Sequence, residues 1–228
     1  MDNSPTPADA DRASSEAASS VHASSDPGAV EEFWDERYSD MDQLWSGEPN
    51  ATLTLELQGL SAGRALDVGC GEGADALWLA EQGWQVTALD VSRVALDRAA
   101  AQAAVRGVTV NWLHAGLVEA ALPPASFDLV SAQYPALLRT EANVAEQALL
   151  TAVAPGGVLL IVHHPAPTAE EAAGHGFHAD DYVSPAQIAA LLDDSGQVEV
   201  DETRPRQVAT GAGSHHTRDV ILRARRLR

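Results

Sequence analysis

Arg64-Ala65-Leu66-Asp67-Val68-Gly69-Cys70-Gly71-Glu72-Gly73 is the stretch that decides the fold. A short apolar run ends in an acid, Asp67. Three glycines follow at alternate positions, and then a helical segment opens at Ala74. Strand, glycine-rich turn and helix in this order bring backbone N–H groups and a helix N-terminus close to a ligand. Glycine spacing alone leaves the ligand open, because Gly69-x-Gly71-x-x-Ala74 also satisfies a loose dinucleotide fingerprint. The acids weigh against that. Asp67 and Glu72 repel a pyrophosphate and attract a cation.

Working outward, the pattern repeats. Strands are predicted at Ala65–Val68, Gln85–Asp90, Val108–His114, Phe127–Ala132 and Val158–His163. Helices are predicted at Asp75–Gln82, Arg93–Arg106 and Glu141–Ala154, with Pro155-Gly156-Gly157 as a turn. Ser92 reads as an N-cap, and Ser184-Pro185 opens a helix running to Asp194. Gln197–Thr203 and Thr217–Arg223 read as two late strands without a clear helix between them. Strand–helix alternation calls for a mostly parallel sheet covered on both faces, and the late pair suggests an antiparallel partner at one edge. Upstream, Glu31–Tyr38 and Thr52–Leu60 read as helices joined by the Trp45–Asn50 loop.

Composition narrows the function. The chain has 228 residues, no lysine and a formal net charge of −19, with 45% hydrophobic residues. That length suits one α/β domain plus a tail. Such a charge repels polyanions, so neither nucleic acid nor a membrane surface is an expected partner. Residues 1–28, rich in Ser, Ala, Asp and Pro, read as a disordered tail. The single cysteine, Cys70, excludes an intrachain disulfide, and no apolar run is long enough to span a bilayer. No charged-then-apolar leader pattern opens the sequence, and a cytoplasmic location is expected.

The chemistry-bearing positions line up on strand ends. Asp90 closes strand two, 21 residues after Gly69, where a carboxylate reaches ribose hydroxyls. His114-Ala115-Gly116-Leu117 closes strand three and Ser131-Ala132-Gln133-Tyr134 strand four. Ligands in open parallel sheets bind where strand order reverses, which should lie between strands one and four.

Leu66–Gly73 paired with Ala88-Leu89-Asp90-Val91-Ser92 resembles the class I S-adenosylmethionine-dependent methyltransferases. Phe33-Trp34-Asp35-Glu36-Arg37-Tyr38 with Trp45-Ser46-Gly47-Glu48-Pro49-Asn50 is similar to the cofactor-covering region of the small-molecule branch that includes tellurite-resistance and thiopurine methyltransferases. The resemblance runs from Phe33 to Arg225. It implies an α/β, Rossmann-like three-layer sandwich with a seven-stranded, mostly parallel sheet and one antiparallel strand near the edge. Residues 29–228 would form a single methyltransferase domain with a helical lid over about 30–60.

Carried over residue by residue, Asp67 would hold the methionine ammonium through water, aided by the Gly69 carbonyl. Gly71 would admit the cofactor, Asp90 would take the ribose, and Val91 would pack on the adenine. The Leu117 N–H would meet the adenine edge. Tyr38 and Trp45 would close over the methionine end, and Cys70, Gly73, Gly116 and Gln133 complete the expected lining. The family often has an adenine-binding acid where this chain has Gly116, so that contact is expected to be missing or supplied by water. S-adenosylhomocysteine is the expected product, and a monomer or homodimer the expected state.

Methyl transfer from a sulfonium needs an aligned nucleophile and little else. A thiolate or selenide needs no base, whereas a phenol or amine does; the expected acceptor is a small molecule, such as a thiol, a selenium or tellurium oxyanion or a phenol. Tyr134, His163 and His164 are the candidates, with His163 or His164 expected to face the substrate. His175, His178, His215 and His216 invite a metal reading, but no tight ligand spacing supports it, and no metal is expected. Two other readings stay open: an NAD(P)-binding oxidoreductase, opposed by the loop acids, and a non-enzymatic cofactor- or metal-binding resistance protein.

Overall fold

The computed structural model describes residues 27–166, 181–206 and 216–228. Helix α1 (Pro27–Ser39) and the short α2 (Ala51–Glu56) precede the sheet. Then follow β1 (Arg64–Val68), α3 (Ala74–Glu81), β2 (Gln85–Asp90), α4 (Arg93–Arg106), β3 (Val110–His114) and β4 (Phe127–Gln133). The chain continues through α5 (Val144–Ala152), β5 (Val153–His163), α6 (Pro185–Leu191), β6 (Gly196–Pro205) and β7 (Arg218–Arg226).

The seven strands form one sheet in the order β3-β2-β1-β4-β5-β7-β6. Neighbours from β3 through β5 are parallel, and β7 is antiparallel to both β5 and β6. The expected sheet and its antiparallel strand near the edge are therefore present. Strand order reverses between β1 and β4, so their carboxyl ends, Asp67-Val68 and Ser131–Gln133, border the switch point.

Parity along the strands sorts the core into two layers. Ala65, Ala88, Leu129, Leu160 and Val162 pack with Leu53, Ala76 and Leu79 on one face. Leu66, Leu89, Val130, Leu159 and Ile161 pack with Leu149 and Ile188 on the other. A third, smaller cluster joins Tyr38 and Leu44 to Ala95 of α4, with Trp34 and Trp45 against it. This cluster seats the N-terminal segment on the body. Burying Leu44 and Tyr38 there contributes roughly 1.5–3 kcal/mol each.

Local signals behave as their chemistry dictates. The Ser92 hydroxyl accepts the Ala95 N–H. Ser184 and Gln187 form a reciprocal capping box, with Pro185 in the first turn. Some boundaries differ from expectation. α1 begins at Pro27, inside the residues expected to be tail; residues 1–26 lie outside the described ones. α2 stops at Glu56, short of Leu60. α5 begins at Val144 and ends at Ala152, because Val153 pairs with Phe127 and starts β5 early. Pro155-Gly156-Gly157 therefore lies within β5, where the register shifts between Phe127 and Leu129.

Candidate active site

The turn after β1 is pinned from beside it: the Gly69 and Cys70 N–H groups donate to the Leu89 carbonyl of β2 at 2.9 and 3.0 Å. Gly71 has φ +52, and a Cβ there would stand 2.8 Å from Tyr38 Oη and 3.3 Å from Trp45 Nε1. Trp45 Nε1–H donates to Tyr38 Oη at 2.9 Å. Tyr38 and Trp45 thus pack over Gly71, and the missing side chain there makes room for these two aromatic rings. Gly73 turns the other way. Its missing Cβ would meet Ala99 and Trp112, so the absence of a side chain here serves packing against the helix and strand beside it.

Three buried carboxylates lie under the loop: Asp67, Asp75 and Asp90. Asp75 accepts Asn50 N–H and Nδ2–H at 2.7 and 2.8 Å. Asp90 Oδ2 accepts Gly71 N–H, and Oδ1 accepts Ser92 N–H, both at 2.8 Å. The Val91 N–H is a third backbone donor to this carboxylate, which leaves it limited further acceptor capacity. Asp67 differs. Its Oδ2 is buried with no hydrogen-bond partner. Burial, and then the charges of Asp75 and Asp90, hold its carboxyl well above the usual carboxylate range. A buried acceptor without a donor is costly unless a ligand supplies one. Burial, reinforced by Asp90 and Asp67, also pushes the Cys70 thiol up, so it stays protonated and is no nucleophile.

Glu72 corrects the sequence reading. It does not face a cationic ligand. Its Oε2 accepts the Leu44 and Trp45 N–H groups at 3.1 and 3.0 Å, and its Oε1 accepts Arg98 Nη1–H at 3.0 Å.

On the β2–β3 side, His114 Nε2 lies 2.9 Å from the Val91 carbonyl and 3.0 Å from Glu31 Oε1. The Leu117 side chain is buried in the core, anchoring the turn that follows β3. That turn carries a residue the sequence reading missed. A Cβ at Gly116 would run into the Glu119 carboxylate and would lie 3.8 Å from Val91. An acid therefore stands over Gly116 after all, delivered three residues later by the turn in which Ala120 N–H bonds the Gly116 carbonyl at 2.9 Å.

On the β4–β5 side, Gln133 Nε2–H donates to Ser131 Oγ at 2.9 Å, and its Oε1 is buried without a partner. Tyr134 has φ +53, an uncommon conformation for a bulky residue. Its hydroxyl donates to Asp219 Oδ1 at 2.8 Å. The buried Asp219 also accepts Thr52 Oγ1–H at 2.7 Å and lies 3.6 Å from Arg206 Nε. Burial holds the Tyr134 hydroxyl above its ordinary value, so it is not available as a base. The His164 ring stacks on Tyr134 (centroids 4.3 Å apart) and on His216 (3.7 Å). His163 has the opposite character. Burial lowers its pKa to about 4, against a backbone hydrogen bond to Val183 that raises it. The Val183 N–H already donates to Leu137 O at 2.9 Å, so the Val183 carbonyl must be the acceptor. That puts the proton of neutral His163 on one ring nitrogen and leaves Nε2, buried and unpartnered, as a bare lone pair. His175, His178 and His215 lie outside the described residues. Among the described residues no three metal-ligating side chains come together, and no helix is long and apolar enough to cross a membrane.

A parallel-sheet switch point, an acid-lined glycine turn and a carboxylate on the next strand end define a nucleoside-cofactor site built for a cationic ligand. Comparison with known proteins gives the family. The family described as "Methyltransferase domain" matches residues 65–157. An uncharacterized methyltransferase of Mycobacterium tuberculosis is 33% identical over 136 residues, 59% of this chain and 68% of the relative. A 2-heptyl-1-hydroxyquinolin-4(1H)-one methyltransferase of Mycobacteroides abscessus is 46% identical over 67 residues, 28% of this chain and 30% of the relative. A structure from work on conversion of a disulfide bond into a thioacetal group during echinomycin biosynthesis has the same fold, with a TM-score of 0.68 at 24% identity, over 86% of this chain and 92% of that one. The chain belongs to the class I S-adenosylmethionine-dependent methyltransferases, and its cosubstrate is S-adenosylmethionine.

Proposed function

We propose that this enzyme methylates a small molecule whose reacting atom carries a hydrogen, a hydroxyl or an amine. The observation that carries the acceptor class is His163. A neutral imidazole with a bare, buried Nε2 suits an acceptor that must lose a proton, and a thiolate or a selenium or tellurium anion would not use it. The weakness of this base is no obstacle. For a hydroxyl, once the acceptor oxygen has begun to bond the methyl carbon, its proton becomes far more acidic than an imidazolium.

The chemistry of the residues at the site supports this cofactor. The orphaned Asp67 Oδ2 and Gln133 Oε1 are acceptors suited to an ammonium. Asp90 offers its remaining acceptor capacity to the ribose, and Val91 and Leu117 border the adenine. Glu119 takes the role the sequence left vacant at Gly116, accepting from the adenine amino group. Tyr38 Oη accepts from Trp45, so its own hydrogen is free to donate to the methionine end. When bound, S-adenosylmethionine supplies an already activated methyl group. The protein's own contribution is to orient it, exclude water and receive a proton at His163.

The finer placement, in the branch with tellurite-resistance and thiopurine methyltransferases, rests on the Phe33–Tyr38 and Trp45–Asn50 segments. We read 29–228 as one methyltransferase unit with about 30–60 as its lid, working in the cytoplasm as a monomer or homodimer. The net charge of −19 supports a small-molecule acceptor over a nucleic acid. The quinolinone named for the mycobacterial relative is consistent with a small hydroxylated acceptor.

Calorimetric titration tests the cofactor half. S-adenosylhomocysteine should bind and NADH should not; the reverse would overturn the reading. Asp90→Ala should weaken S-adenosylhomocysteine binding by roughly 1.5–3 kcal/mol, the scale of charge-assisted hydrogen bonds, and unchanged affinity would remove Asp90 from the site. A radiolabelled methyl-transfer panel over phenols, amines, thiols, selenite, tellurite and halides tests the acceptor half. Label on phenols or amines is expected, and label on thiols alone would refute the proposed class. On the acceptor found, His163→Ala should lower turnover about 10²–10⁴-fold without changing S-adenosylhomocysteine affinity. Full turnover would dismiss His163.

A further inference from the structure

We propose that Arg98 and Glu72 form a latch that holds the N-terminal segment closed over the cofactor, so that this ion pair sets how fast cofactor and product leave. The inference rests on the cofactor reading above and assigns two residues that reading does not use. Arg98 lies on α4, on the body of the protein. One guanidinium nitrogen, Nη2, donates to the Met41 carbonyl of the segment after α1 at 2.7 Å. The other, Nη1, donates to Glu72 of the glycine loop at 3.0 Å. One side chain therefore bridges the covering segment and the loop it covers.

Glu72 completes the bridge. Its carboxylate receives the backbone N–H groups of Leu44 and Trp45. Those two bonds set the position of Trp45, whose indole holds the Tyr38 hydroxyl above Gly71. The chain of contacts runs from Arg98 to Glu72, to the Trp45 backbone, to the Trp45 indole, to Tyr38. Both ends of the ion pair are largely shielded, with 27% of the Arg98 side chain and 11% of the Glu72 side chain exposed. Water therefore replaces the lost partner poorly if one is removed.

The same segment is also fastened by Glu31 to His114, by Asp35 to Ser92 Oγ and Val94 N–H, and by Asn50 to Asp75. These lie toward its two ends and make hinges. The Arg98–Glu72 pair grips the middle, next to Tyr38 and Trp45. Opening the middle while the ends stay fastened uncovers Gly71 without unfolding the segment. Glu72 and Arg98 are thus positioning residues, acting on the cofactor through Trp45 and Tyr38.

The test uses the full chain with S-adenosylhomocysteine as probe. Arg98→Ala should raise its dissociation constant about tenfold, through a faster release rate in stopped-flow displacement and not a slower association. Arg98→Lys should recover part of the loss, since an ammonium keeps the charge but not both planar contacts. A merely structural role would lower the thermal midpoint of the ligand-free protein and leave the release rate alone. Should Arg98→Ala fail to fold, Glu72→Gln, which keeps one acceptor oxygen for the strap, should speed release about threefold. Release rates within error of wild type in the folded variants would overturn the latch. Failure of the wild-type chain to bind S-adenosylhomocysteine would instead overturn the cofactor reading.

Discussion

Asp67→Asn should weaken S-adenosylmethionine binding by roughly 2–3 kcal/mol, the range for a buried hydrogen bond to a charged partner, and should flatten the pH dependence of binding. In the ligand-free protein, burial and the nearby Asp75 and Asp90 raise the Asp67 pKa, and Oδ2 has no donor. A cationic ligand stabilises the ionised carboxylate and lowers that pKa. Binding therefore expels a proton when the pH lies between the two values. Affinity rises as pH rises through the raised pKa, levels off above it, and is lost below it. Titration in two buffers of different ionisation enthalpy reads the proton directly. Wild type should release close to one at a pH between the two values, and the Asn variant markedly fewer. Equal release and equal affinity would show that Asp67 does not meet the cofactor.

The same substitution carries an opposite prediction for stability. A carboxylate whose folded pKa is raised favours the fold only while it stays protonated. Its stabilising share falls as pH rises from the unfolded value, about 3.9, through the folded one. Asn never ionises. Ligand-free Asp67→Asn should therefore melt higher than wild type near neutral pH and lose that advantage at acid pH. A residue whose removal stabilises the empty protein while crippling binding is held for function.

How far the sequence could be read follows from the range of each interaction. The strand ends at Asp67, Asp90, His114 and Gln133 were legible because strand–turn–helix periodicity is local. Tyr38 and Trp45 stand out in the sequence as aromatics of the covering segment, but their packing over Gly71 is seen only in the fold. Glu72 was misread because its sign is visible in the sequence but its direction is not: it reaches back to Leu44, 28 residues earlier. Glu119 is not evident at the Gly116 position itself, because it is the turn that brings an acid from three residues on above the first residue of that turn. Asp219 could not be seen at all. Its partners Thr52 and Tyr134 are 167 and 85 residues away, and only sheet order β4-β5-β7 brings them together. The α5 boundary failed for a different reason. Leu149 to Ala154, apolar but for Thr151, precedes Pro-Gly-Gly and reads as a helix end, yet pairing of Val153 with Phe127 takes the last residues into the sheet.

Gly73→Ala should cost folding stability and spare the cofactor face. Gly73 has φ +83, and a methyl group there would lie 2.8 Å from Ala99 Cβ and 2.9 Å from the Trp112 ring. The left-handed backbone costs roughly 1–2 kcal/mol for a residue with a Cβ, and forcing a methyl into a filled site adds roughly 1–3 kcal/mol. The melting temperature should fall by roughly 5–15 °C for a chain of this size. Gly69→Ala makes the contrast. Its φ is +69, but a Cβ there meets nothing within 4 Å. It should bear only the backbone cost, roughly 1–2 kcal/mol, while its methyl projects into the open space in front of the loop. Its signature is then a modest loss of stability with a clear loss of S-adenosylhomocysteine affinity. Two glycines of one motif, four residues apart, should thus separate into a packing position and a ligand position. If Gly73→Ala melts like wild type but fails to bind, the assignment of these two faces is reversed.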